Sequence, residues 1–104
     1  MKRKEILEII NMALDVIEKG RSSHKEGIPL VAVDISNYGT EFEVRIMDDG
    51  FRAGAPYDGI YSFDLDGPVS DRVLRTCKSH LAELSQKAER SSKEMNDHGE
   101  NTKL

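Results

Sequence analysis

Residues 30–48 read LVAVDISNYGTEFEVRIMD, and the fold follows from how this stretch divides. In its second half Phe42, Val44 and Ile46 alternate with Glu41, Glu43, Arg45 and Met47, a period of two that gives a strand one apolar face and one wet face. The first half, LVAVDIS at residues 30–36, precedes it as the first strand. Between them, Asn37-Tyr38-Gly39 carries the turn chemistry of short hairpins. A third run, GIYSFDL at residues 59–65, alternates again and points Tyr61, Phe63 and Leu65 inward. The loop DGFRAGAPYD at residues 49–58 joins the last two strands. Three strands in this order make an antiparallel meander.

Outside the meander the apolar period changes to that of a helix. Residues 3–19 place Ile6, Ile9, Ile10, Ala13, Val16 and Ile17 on one stripe, widened by Leu7 and Leu14, and Gly20 offers a C-terminal stop. After the meander, Val69, Val73, Cys77, Leu81, Leu84 and Ala88 form a second stripe. Pro68 suits the first turn of that helix, and Asp71 complements its positive end. This helix is expected to end near residue 92, because residues 93–104 hold almost nothing apolar and predict a disordered tail. The fold class is therefore α+β. A single domain over residues 1–92 has the order α-β-β-β-α, with both helices packed on one face of the three-stranded sheet.

The chain has 104 residues, 15 basic and 19 acidic, for a net charge of −4. That balance offers no general basic surface to nucleic acid or to an anionic membrane. A single cysteine, Cys77, excludes an internal disulfide and a multi-cysteine zinc site, and it fits a reducing cytoplasm. Apolar runs are only a few residues long, so no membrane span and no secretory leader are expected.

Catalysis has one motif to offer. The segment FDLDG, residues 63–67, resembles the first motif of haloacid-dehalogenase-like hydrolases, which implies Asp64 as nucleophile, Asp66 as acid and base, and a magnesium ion. In that family a lysine and further carboxylates arrive later in the chain. Here the 38 residues after Asp66 make one helix and a tail, and Pro68 replaces the usual threonine. The segment also follows an antiparallel meander where the family opens a parallel sheet. Each letter has a structural purpose instead: Phe63 and Leu65 face inward, Asp66 and Gly67 turn the chain, and Pro68 begins a helix. Cys77 and His80, at i and i+3, could meet as a thiolate–imidazole pair, but Cys77 lies within the apolar stripe, where a free cysteine behaves as a small core residue. The loop aspartates lack a calcium-loop register and recur as Asp-Gly turns. No catalytic residue, metal or cofactor is expected, and the chain reads as a non-enzyme.

Binding is the better-supported class. Residues 30–67 hold two basic and eight acidic side chains, a balance of −6, while each flanking segment is near neutral. By alternation Asp34, Glu41, Glu43 and Asp64 share the face that the helices leave open. The loop adds Phe51, Arg52 and Tyr57, an aromatic-plus-arginine set of the kind that anchors a partner. A protein partner is expected at these seven residues, together with self-association through the broad helix at residues 3–19. An acidic face could also imitate nucleic acid and inhibit a DNA- or RNA-binding protein. The element order is also that of double-stranded-RNA-binding domains, which would place Arg72, Arg75 and Lys78 against phosphates. A sheet at −6 repels such a polyanion, so nucleic acid is not an expected partner.

Overall fold

The computed structural model describes the backbone of residues 1–23 and 27–103 and the side chains of residues 1–20 and 27–90. Strands β1 (Leu30–Ser36) and β2 (Glu41–Met47) pair antiparallel, with Val33 opposite Val44 and Ser36 opposite Glu41. At the turn between them, Ser36 Oγ accepts the Tyr38 N–H at 3.1 Å, and Gly39 and Thr40 take φ values of 80° and 48°. A β-branched residue in the left-handed region is costly. Thr40 is tied down on the next strand, where its hydroxyl donates to Asp64 Oδ1 at 3.3 Å and its carbonyl accepts the Leu65 N–H at 2.8 Å.

Strand β3 (Gly59–Asp64) pairs antiparallel with β2, setting Phe63 opposite Phe42 and Tyr61 opposite Val44, so the sheet order is β1-β2-β3. Helices α1 (Arg3–Ser23) and α2 (Asp71–Lys103) pack on one face of this sheet. Ile9, Ala13 and Val16 of α1 and Cys77, Leu81 and Leu84 of α2 meet the inward row Phe42, Val44 and Ile46 in one buried core. Within it the Phe42 and Phe63 rings lie 5.9 Å apart at 31°. Such an aromatic pair adds about 1 kcal/mol beyond the area it buries. The expected architecture is the one observed.

Element ends differ from expectation in instructive ways. Gly20 does not stop α1, which continues to Ser23. It is buried where a Cβ would meet Ile28 Cγ2 at 2.9 Å, so glycine is there for close approach. Pro68 lies before α2, not in its first turn. Ser70 caps that helix, its Oγ accepting the Val73 N–H at 3.3 Å and its carbonyl the Leu74 N–H at 3.0 Å. The α2 assignment extends to Lys103, and among the described side chains the last buried residue of the stripe is Ala88. Residues 93–104, expected to form a disordered tail, carry none of the described side chains. Met47, expected on the wet face, is buried at the end of the sheet, where it pairs with Leu30. Among the described residues no helix is long and apolar enough to cross a membrane.

Candidate functional site on the uncovered face of the sheet

The strand register decides which side chains share the face turned away from the helices. Asp34 stands opposite Glu43, and Glu41 stands opposite Asp64, so the four carboxylates form two like-charged pairs across three strands. Asp34, Glu41 and Asp64 are exposed and Glu43 is half-buried. Like charges directly opposed on a sheet destabilise it, by up to about 1 kcal/mol per pair.

Each acid differs in how it is held. Ser62 donates its hydroxyl to Glu43 Oε2 at 3.1 Å, and Arg45 Nε lies 3.4 Å from Glu43 Oε1. That contact fails hydrogen-bond geometry, and Arg45 Nε is a buried nitrogen without a hydrogen-bond partner. We read it as an ion pair that lacks a directed bond. Asp64 accepts the Asp66 N–H at 2.9 Å as well as the Thr40 hydroxyl, which makes its carboxylate the organiser of the turn that follows β3. Gly67 is enclosed by the same carboxylate, since a Cβ there would stand 2.8 Å from Asp64 Oδ2. In FDLDG, Asp64 therefore shapes a turn.

The loop residues lie at the other end. Phe51 is 70% exposed, and Arg52 and Tyr57 are exposed too, but β2 separates them from Glu41 by the length of the strand. At about 3.4 Å per residue that is roughly 20 Å. The seven expected residues are thus two sets. Arg45 spans them: it neighbours Glu43 on one side, and its guanidinium lies 5.8 Å from the Tyr57 ring centroid on the other. Opposite Arg45 stands Ile60, 57% exposed on the same face. The open surface therefore runs from carboxylates through one arginine to an apolar and aromatic end.

A second constellation was not legible in the sequence. His80 on α2 has Nε2 2.6 Å from Asp48 Oδ1 and Nδ1 2.7 Å from the Tyr61 hydroxyl. Asp48 in turn receives a partner through its own backbone, whose N–H donates to Asp58 Oδ2 at 2.6 Å. His80 thus turns away from any role with Cys77, whose thiol is fully buried and pushed up to about 11 by that burial. Burial, then the nearby Cys77, Asp48 and Glu83, also raises the Tyr61 hydroxyl above its ordinary range. A tyrosine held protonated is no nucleophile. Gly59 closes the space, for a Cβ there would lie 2.7 Å from the Tyr61 ring and 2.8 Å from His80 Nδ1. This network fastens α2 to the sheet.

Among the described residues no three of His, Cys, Asp and Glu are placed to hold a metal ion. The cations that would meet RNA phosphates are partly engaged: Lys78 Nζ lies 2.6 Å from Glu8 Oε2, and Arg75 Nε donates to the Asp71 carbonyl at 3.4 Å. Compared with protein-family models, with curated proteins and with solved structures, the chain matches none.

Proposed function

We propose that this chain is a non-enzymatic protein-binding domain whose uncovered sheet face receives a basic segment of a partner protein. One observation carries the reading. Asp34, Glu41, Glu43 and Asp64 are set in two opposed like-charged pairs on a surface that none of the described elements covers. A guanidinium placed between two carboxylates relieves their repulsion and gains charge-assisted hydrogen bonds. Ile60 and Tyr57 then supply the apolar contact that charges by themselves do not.

The test is capture by the immobilised chain, comparing wild type with Glu41→Lys/Glu43→Gln. Asp64 is left intact because it builds a turn. A partner rich in Arg and Lys should bind wild type, weaken as salt rises and be lost on the variant. Equal capture by both would overturn the proposal. Competition by duplex nucleic acid for the same partner would show that the face occupies a nucleic-acid cleft.

A further inference from the structure

β1 is an edge strand, and its helix-facing row is only partly covered. Val31 is buried, yet Val33 and Ile35 on the same row are 37% and 54% exposed. The cause lies in how α1 is turned. Its Glu8, Met12 and Lys19 face α2, where Glu8 meets Lys78, Lys19 Nζ donates to Ser85 Oγ at 2.8 Å, and Met12 lines a cleft with Leu81. At roughly 100° per residue, Ile6, Ile10 and Ile17 fall on the opposite flank of the helix, with Leu14 and Leu7 at its solvent-facing border. Because α1 packs over β1 and α2 over β3, that flank overlooks the free edge of β1. Leu7 and Leu14 are 52% and 43% exposed there.

An open strand edge beside an apolar strip is a template for pairing, and proteins usually guard it with lysine, proline or a bulge. β1, LVAVDIS, carries a single charge, Asp34, and no lysine, proline or bulge, and its register with β2 is unbroken. We propose that a second copy of this chain covers it. The two form a two-fold symmetric dimer in which β1 pairs antiparallel with β1 and the α1 helices run antiparallel across the axis.

Two sequence patterns select a second copy over an unrelated strand. Pairing about Val33 sets Val31 against Ile35 of the copy and Ala32 against Asp34, so the apolar rows meet and no charge opposes its like. The outer border of α1 includes Arg3, Leu7, Leu14 and Glu18, with Ile10 and Asn11 at its centre. Reversed against itself, it sets Leu7 against Leu14 and Arg3 against Glu18, so opposite charges meet at both ends.

The two centres of symmetry are also level. Gly20 of α1 stands against Ile28, just before β1. From that contact the helix centre, between Ile10 and Asn11, is about 14 Å away at 1.5 Å per residue. Val33 is about 17 Å away at 3.3 Å per residue. One axis serves both. The dimer does not depend on the reading of the acidic face, which it would leave uncovered on both copies.

Sedimentation equilibrium of the full chain should show a monomer–dimer equilibrium. Val33→Cys should cross-link to itself on mild oxidation, because on the axis its Cβ falls about 5 Å from its copy, while buried Cys77 does not compete. Ile60→Cys, on the opposite edge strand, should not. Leu14→Lys should weaken dimerisation at least about tenfold with the fold retained by circular dichroism, whereas Glu41→Lys should leave it unchanged. Glu18→Arg should weaken it, and Arg3→Glu in the same chain should restore it. A monomer at every concentration, cross-linking at Ile60→Cys in preference to Val33→Cys, or a dimer indifferent to Leu14→Lys would overturn the proposal.

Discussion

His80 and Asp48 come from opposite layers of the molecule and hold each other at 2.6 Å, Nε2 to Oδ1. The carboxylate accepts only, so Nε2 carries the proton, and in the neutral imidazole Nδ1 then accepts the Tyr61 O–H at 2.7 Å. A half-buried imidazole with both nitrogens satisfied ties α2 to β2 and β3 more directionally than apolar contact does.

Removing one member of this network should cost more than its exposure suggests. Tyr61→Phe is expected to destabilise by about 1 kcal/mol, and Asp48→Ala by about 1–2 kcal/mol because Nε2–H is left without its acceptor. Asp48→Asn, which keeps an acceptor, should fall below Asp48→Ala. Gly59→Ala should exceed Tyr61→Phe, since its Cβ displaces both rings. Urea unfolding ranks the four, and equal midpoints for Asp48→Ala and wild type would refute a bonded role.

Cys77 predicts an alkaline limit. Burial raises its thiol from 9.0 to about 11, against a small opposing pull from Lys78. Since the folded value lies above the unfolded one, the stability it gives is complete below pH 9 and is lost as pH rises through 11. The full loss is about 3 kcal/mol. Cys77→Ala should flatten the unfolding midpoint across this window. Thiol reagents should label native Cys77 only as fast as the chain opens.

An acid limit comes from Glu8. Its hydrogen bond to Lys78, and then the lysine's charge, hold the carboxyl below its ordinary 4.5. Here the stability is present above the unfolded value and is lost as pH falls through the lower, folded one. Glu8→Gln should therefore narrow the difference in urea midpoint between pH 6 and pH 3. An unchanged difference would mean that the Lys78 contact is absent in solution.

Stability and binding should pull apart at Glu41. Replacing it with lysine turns the repulsive pair with Asp64 into an attractive one and is expected to stabilise the fold by about 0.2–1 kcal/mol. The same change should abolish capture of a basic partner. A variant that is both less stable and still competent to bind would contradict the assigned register.

What the sequence determined was periodicity and its consequences. Alternation at Phe42, Val44 and Ile46 and the 3.6-residue stripes of the two helices dictated α-β-β-β-α, because a face must be buried wherever apolar residues recur on it. The same alternation placed Asp34, Glu41, Glu43 and Asp64 on the open side, which needs only the pleat. Gly20 and Pro68 misled, since a glycine's contact and a helix's cap depend on Ile28 and Ser70, not on residue type. Only the tertiary structure decided that His80 meets Asp48 and Tyr61, groups 32 and 19 residues away, while Cys77 three residues away is ignored. Side-chain chemistry states what a group can bond to. Which partner it finds is set by the packing of α2 on the sheet, and the packing of α1 likewise left Leu7 and Leu14, which widen the helix stripe in the sequence, exposed.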